Sequence, residues 1–180
     1  NVNRFRSRLV AKGFSQIYER DYKETFSATL KHTSLRLMIS KAANEGFRCR
    51  HIDIKNAFVS SYLDAEHEIY IKVPQGMSRA SVRRQLGKTA IGIDDKRIVL
   101  RLRKALYGLK QASLTFWKAL MGKLRADGWK QCVSDQCVLY RNSGDYREYL
   151  VAYVDDIIWM GRYEHQFKRM FKQMSERFLV

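Results

Sequence analysis

Asp155 and Asp156 stand side by side in Tyr149-Leu-Val-Ala-Tyr-Val-Asp-Asp-Ile-Ile-Trp-Met-Gly161, and no Lys or Arg occurs in that stretch. Apolar, β-prone residues flank the pair on both sides, which predicts a hairpin with the two acids at its tip. Two carboxylates this close, without a neighbouring positive charge, repel and raise one another's pKa. A hard divalent cation removes the conflict, because Mg²⁺ takes carboxylate oxygens at about 2.0–2.1 Å. A solvated turn is the plainer alternative. The chain supplies a contrast in Asp94-Asp95, which is followed at once by Lys96 and Arg97 and reads as an ordinary turn. A metal site wants a further ligand, and Asp53 is a candidate in Arg50-His-Ile-Asp-Ile-Lys-Asn-Ala-Phe58. On a strand, Ile52 and Ile54 point to one face and His51, Asp53 and Lys55 to the other. An ion pair of Asp53 with Lys55 or Arg50 is the competing reading.

The elements that must position these acids are mixed α and β. Phe5 to Ala11 reads as a strand. His32 to Asn44 reads as a helix capped by Thr33 or Ser34 and ended by Gly46 in the left-handed conformation. Arg50 to Ile54 and Ile69 to Val73 read as strands, the second closed by Pro74 and Gly76. Ala90 to Ile93 and Ile98 to Leu102 suggest a hairpin around Asp94 to Arg97. Ala112 to Asp127 is a predicted helix stopped by Gly128, with Phe116, Trp117, Leu120 and Leu124 on its apolar face. Cys137 to Arg141 and Glu148 to Met160 are strand-like, and Tyr163 to Phe178 has helical periodicity.

With 180 residues, 46% of them hydrophobic, the chain suits one globular domain with a core of its own. Aromatics at 12% argue against wholesale disorder. Three cysteines, Cys49, Cys132 and Cys137, fit a reducing compartment, and Cys132 and Cys137 are too widely spaced for a zinc knuckle. No signal-peptide core and no membrane-spanning run is expected, since no stretch approaches about 18 apolar residues. The formal net charge is +16, from 34 Lys and Arg against 18 Asp and Glu. Polyanion binding is the leading reading of that charge, with nucleic acid ahead of a membrane surface.

Eight ordered blocks carry a resemblance. They are Arg8-Leu-Val-Ala-Lys-Gly-Phe-Ser-Gln16, Asp21-Tyr-x-Glu-Thr-Phe-Ser27, Ser34-Leu-Arg36, Ala42-Ala43, Asp53-Ile-x-x-Ala-Phe58, Ile69-Tyr-Ile-x-x-Pro-x-Gly76, Lys104-Ala-Leu-Tyr-Gly-Leu-Lys-Gln-Ala112 and Tyr153-Val-Asp-Asp156. The set resembles the reverse transcriptase domain of copia-type LTR retrotransposon Pol polyproteins, over nearly the whole chain.

The resemblance implies an α+β polymerase fold of fingers and palm in a single unit, 1–180, without a thumb. Residues 1–48 and 78–111 would be fingers-like, and 49–77 and 112–180 palm-like. It implies RNA-directed DNA polymerase activity, with a primer 3′-hydroxyl attacking the α-phosphate of a dNTP and two Mg²⁺ ions about 3.5–4 Å apart, which Mn²⁺ can replace. Asp53, Asp155 and Asp156 match the catalytic acids. Asp53 and Asp155 would bridge the ions, with the Ile54 carbonyl reaching one of them and Asp156 supplying charge and orientation. Phe58 is similar to a steric gate under the sugar; a core phenylalanine beside Ala57 and Val59 is the alternative. Tyr107 and Gly108 would lie against the nucleotide, and Lys110, Gln111 and Tyr153 against template and primer; an exposed helix start is the alternative for Tyr107 to Gln111. Arg8 and Lys12, with Arg6, would meet triphosphate from the first strand, unless that strand is only a basic edge.

The implied partners are an RNA or DNA template–primer, dNTPs and the rest of the polyprotein: thumb, RNase H and integrase. The implied location is cytoplasmic, in a virus-like particle, with nuclear access for the parent complex. Several positions depart from the family pattern. Ser113 stands where proline is usual, Ser60-Ser61 replaces an expected glycine, the loop at Asp64 to His67 is lengthened, and Ser78 to Arg97 is a longer, more basic loop. The chain also stops at Val180, at the helix that follows the hairpin, where further palm elements and a thumb are expected. These departures keep a second reading open, a degenerate or domesticated relic that binds nucleic acid without catalysis.

Overall fold

The computed structural model describes residues 7–64, 68–86 and 98–180. Five strands form one antiparallel sheet in the order β1-β7-β6-β5-β4: β1 Arg48–Asp53, β4 Lys130–Gln131, β5 Val138–Ser143, β6 Tyr146–Tyr153 and β7 Asp156–Gly161. Two short strands, β2 Tyr70–Lys72 and β3 Val99–Arg101, pair separately. The helices are α1 His32–Asn44, α2 Arg79–Leu86, α3 Ala112–Ala126 and α4 Glu164–Ser175. This is the expected mixed α/β architecture with an antiparallel sheet.

Strand alternation divides the core into two layers. Leu139, Leu150, Ala152, Ile157 and Trp159 face α3 and α4, meeting Phe116, Leu120, Leu124, Met170 and Met174. Their neighbours of opposite parity, Val138, Val151 and Met160, cluster with Met38 and Ala42 of α1 and with Leu30 just before it. A third cluster, Ile69, Ala105, Leu106, Leu109 and Ala112, joins the small sheet to the start of α3.

One buried acid breaks the alternation. Glu148 shares the parity of Leu150 and is fully buried. Its Oε1 accepts from Arg141 Nε and Arg169 Nη2, both at 2.9 Å, and its Oε2 accepts from Trp159 Nε1 at 2.8 Å. A buried charge persists only when it is paired and hydrogen-bonded in this way.

Several sequence expectations are corrected. Residues 7–11 form no strand; Ala11 N–H donates to the Tyr107 carbonyl at 2.7 Å, so the segment runs against a turn and has no strand to pair with. Phe5, Arg6 and the hairpin arm at 90–93 with its Asp94-Asp95 turn lie outside the described residues, as do 65–67 of the lengthened loop. The other arm, 98–102, supplies β3, whose partner is β2. Part of the basic stretch expected to be a loop is α2. The last helix ends at Ser175, not at Phe178, and Phe178 turns into the core. Helix α1 has the predicted bounds, and Gly46 takes φ +65°. Its N-cap is Lys31, however, and neither Thr33 nor Ser34 caps it.

The capping acceptor comes from another element. Asp135, buried in the loop before β5, accepts the Lys31 N–H at 3.0 Å and the Cys137 N–H at 2.9 Å. Burial alone would raise its pKa, but hydrogen bonds from Ser34, Lys31 and Cys137 outweigh it and hold the carboxyl below the usual range. A depressed carboxyl contributes stability above its unfolded pKa, about 3.9 for Asp, and loses it as pH falls through the folded value. Asp135→Asn is therefore expected to unfold more readily than wild type at neutral pH, with the difference beginning to shrink below about pH 4 and disappearing only once the pH is below the depressed folded value; urea titrations across pH check this.

All three cysteines are free. Burial pushes the Cys137 thiol up to about 12, which leaves it a structural thiol and not a nucleophile. Among the described residues no helix is long and apolar enough to cross a membrane.

Candidate active site

Strands β6 and β7 are joined by Val154 and Asp155, with Tyr153 and Asp156 paired across the turn. So short a turn favours residues that tolerate positive φ. Val154 nevertheless sits at φ +55°, a region costly for a β-branched side chain. Strain of about 1–3 kcal/mol persists where surrounding structure over-determines it, and it concentrates at functional sites. Here Val154 lies between two paired strands, with Tyr153 and Asp156 opposite each other on either side of it.

β1 lies antiparallel to β7, with Asp53 opposite Asp156, Ile52 opposite Ile157 and His51 opposite Ile158. Directly opposed antiparallel residues have Cα atoms about 4.5–5.5 Å apart. Beyond the last pair, Ile54 N–H donates to the Asp155 carbonyl at 2.9 Å. The structure thus brings Asp53, Ile54, Asp155, Asp156 and the exposed Tyr153 to one strand end, although Asp53 and Asp155 are far apart in sequence. The Ile54 side chain is buried and anchors that end in the main core. Asp53 is exposed, and Asp155 and Asp156 are partly exposed.

The suspected ion pair of Asp53 with Arg50 is absent. Arg50 instead reaches Glu164 at 2.9 Å, and among the described residues Lys55 does not pair with Asp53. One contact at this end was not expected: Asp156 Oδ1 lies 2.7 Å from His51 Nε2. The sequence carried a signal for it, because His51 and Asp53 share one strand face.

The donor set suits a hard divalent cation, being carboxylate oxygens at strand ends with, among the described residues, no cationic side chain paired to Asp53 or Asp155. Among the described residues no three His, Cys, Asp or Glu side chains are gathered closely enough to hold a metal ion between them. Mg²⁺ at nucleotide sites does not need such a group, since it usually takes one or two carboxylates and completes its shell with phosphate and water. The residues present therefore fit Mg²⁺.

A second group surrounds Phe58. Its half-buried ring meets Tyr107 edge-on, with centroids 5.1 Å apart, and Phe116 at 6.2 Å. The Arg8 guanidinium lies over the Tyr107 ring, 4.6 Å from its centroid. Phe58 is thus part of an apolar cluster and also one wall of a surface that Tyr107 and Arg8 continue. Gly108 sits at φ +89°, and a Cβ there would come within 2.2 Å of the Ala11 carbonyl oxygen. The close approach it permits in this structure is to the chain's own N-terminal segment. Lys12 is exposed and follows that segment.

Lys110 and Gln111 form a third group at the start of α3. Lys110 Nζ donates to Tyr22 Oη at 3.1 Å, and its N–H donates to Gln16 Oε1 at 2.8 Å. Gln111 is buried; its Nε2 donates to the Asp21 carbonyl at 2.9 Å and its Oε1 accepts from Gln16. Gln16 and Tyr22 were not singled out in the sequence, although each lies in a block that carries the resemblance. A cleft of about 230 Å³ opens beside them, lined by Tyr22, Lys23, Asp64, Gln111 and Lys118 among others, and contains none of the three acids.

The profile of the reverse transcriptase (RNA-dependent DNA polymerase) family matches residues 1–180. The chain is 34% identical over 180 residues to the retrovirus-related Pol polyprotein from transposon RE2 of Arabidopsis thaliana, covering all of this chain and 11% of that protein. It is 32% identical over 176 residues to the corresponding polyprotein from transposon TNT 1-94 of Nicotiana tabacum, covering 97% of this chain and 12% of that one. A Gag-Pol polyprotein of the yeast transposon Ty1-DR4 is 24% identical over 173 residues, covering 96% of this chain and 10% of that one. The chain therefore spans about a tenth of the length of these curated relatives. No solved structure matches it. With three acids at one strand end, a matching profile from first residue to last and retrotransposon Pol relatives, this chain belongs to the reverse transcriptase family.

Proposed function

We propose that this chain carries the polymerising site of a copia-type retrotransposon Pol polyprotein and adds dNTPs to a primer on an RNA or DNA template. The observation that carries the proposal is the register that sets Asp53 against Asp156, locked by the Ile54 to Asp155 hydrogen bond. The five-stranded sheet with α3 and α4 would be the palm, from segments 49–77 and 112–180. Segments 1–48 and 78–111 would supply fingers, although α1 packs on the sheet and is better counted with the palm.

Two Mg²⁺ ions, when bound, activate the primer 3′-hydroxyl and neutralise charge on the triphosphate and departing pyrophosphate. Asp53 and Asp155 would hold them, helped by the Ile54 carbonyl, with Asp156 adding charge. Phe58, Tyr107 and Gly108 would shape the surface under the nucleotide, and Arg8 and Lys12 would meet its phosphates. Lys110, Gln111 and Tyr153 would meet template and primer, in a binding mode driven mainly by phosphate contacts. The rest of the polyprotein would complete the grip on the duplex.

The alternative is a relic that binds nucleic acid without catalysis. Ser113, in place of the usual proline, hydrogen-bonds Ser27 at 2.7 Å in the first turn of α3, so the substitution is accommodated. Primer extension on an RNA template in Mg²⁺, by this chain or by a longer polyprotein containing it, separates the two readings. Extension supports the polymerase; tight template–primer binding without extension supports the relic. If Phe58 is the sugar gate, Phe58→Val raises ribonucleotide incorporation by about tenfold or more, the effect of about 1.4 kcal/mol of lost steric rejection. Unchanged sugar selectivity returns Phe58 to a packing role.

A further inference from the structure

Of the three acids at the strand end, only Asp156 is held by a side chain. Its Oδ1 lies 2.7 Å from His51 Nε2, whereas among the described residues no hydrogen bond or ion pair engages the carboxylate of Asp53 or Asp155. An ionised carboxylate only accepts, so Nε2 carries the hydrogen. His51 pairs with Ile158, two residues farther along β7 from the turn. His51, Asp53 and Asp156 share one sheet face, so the bond draws the Asp156 carboxylate along the strand, away from Asp155 in the turn.

We infer that His51 is a positioning residue that keeps Asp156 out of the cation's inner shell and thereby sets the site's preference for Mg²⁺ over Ca²⁺. The reason is coordination. Mg²⁺ demands a small octahedral shell and keeps room for water and phosphate, whereas Ca²⁺ takes six to eight oxygens in flexible geometry and gains from an additional carboxylate. Releasing Asp156, which stands directly opposite Asp53, would supply that carboxylate. Removing an outer-shell group around a metal site commonly changes affinity or activity by about 10–100-fold. The inference rests on the proposed polymerase only for the use to which the cation is put.

The test is competition of Ca²⁺ and of Mg²⁺ against bound Mn²⁺, followed by the electron paramagnetic resonance of free Mn²⁺, on the 180-residue chain without nucleotide. His51→Ala is expected to shift the preference toward Ca²⁺ by about tenfold. His51→Gln, which keeps an N–H at similar reach, restores the wild-type preference. In an Asp156→Asn background, His51→Ala has no further effect, because the group it restrains has lost its charge. An unchanged preference in His51→Ala, an equal shift in His51→Gln, or a shift that survives Asp156→Asn overturns the inference. Far-ultraviolet circular dichroism on each variant shows that the fold is retained. A chain that extends no primer, alone or within a longer polyprotein, yet whose cation preference follows His51, removes the polymerase and leaves this inference standing. Extension that depends on Asp155, with a preference indifferent to His51, does the reverse.

Discussion

Asp155→Asn is expected to lower nucleotide incorporation by about a thousandfold, or about 4 kcal/mol of transition-state stabilisation, while the thermal midpoint stays close to wild type. Asparagine has the shape of aspartate and lacks its charge. Asp155 sits at the tip of a turn, and among the described residues its carboxylate has no partner to lose. What holds the turn is backbone, the Asp155 carbonyl accepting from Ile54 N–H, and that bond survives the substitution. Asp53→Asn should cost a similar amount. The double variant should be little worse than either alone, because residues that act as a unit are not additive. Steady-state incorporation on a defined template–primer reads these ratios. A fall of less than tenfold in Asp155→Asn would place the chemistry elsewhere.

Glu148→Gln is the second large effect, and it falls on stability. The substitution keeps the side chain's size and an acceptor for Trp159, but removes the charge that Arg141 and Arg169 share. Arg141 is itself buried, with its guanidinium over the Trp129 ring at 4.4 Å and only one half of a fork satisfied elsewhere, by Asp127 and Gln173. Breaking a buried pair by removing one partner costs about 3–5 kcal/mol, since the remaining charge is left uncompensated. For a chain of this size that is a fall of roughly 10 °C in thermal midpoint. Arg169→Ala should cost less, because that side chain is 49% exposed and water can replace it. Thermal and urea unfolding of the two variants test the order; equal losses would mean that Arg141 does not depend on Glu148.

The sequence made the local parts legible and left the long-range ones unread. Helix α1 announces itself by an apolar period and a glycine that takes positive φ, both of which act within one or two turns of chain. The hairpin at the acids was readable because apolar runs flank the pair on both sides. The pairing of β3 with β2 was not readable: 90–102 looked like a local hairpin, and nothing nearby says that 99–101 closes on a strand some thirty residues earlier. The N-terminal segment misled for a related reason. Its alternation of basic and apolar residues suits a strand, but the structure uses it to lay Arg8 on Tyr107 and to pass Ala11 across Gly108. Glu148 carried a partial signal, since period two sets it on the face of Leu150, yet its three partners come from β5, β7 and α4. At the site the residue types pointed to a cation, whereas the juxtaposition of Asp53 with Asp156 is a property of sheet register, which no local pattern encodes.

The central claim is that Asp53 and Asp155 grip one cation. Fe²⁺ loaded in place of Mg²⁺, then treated with ascorbate and peroxide, generates hydroxyl radicals that cut backbone beside the bound ion. The account predicts cuts near both Asp53 and Asp155 in the same sample, suppressed by excess Mg²⁺ and lost from both places in Asp155→Asn. Cuts confined to one of the two segments, or cuts at both that ignore Asp155→Asn, would contradict it.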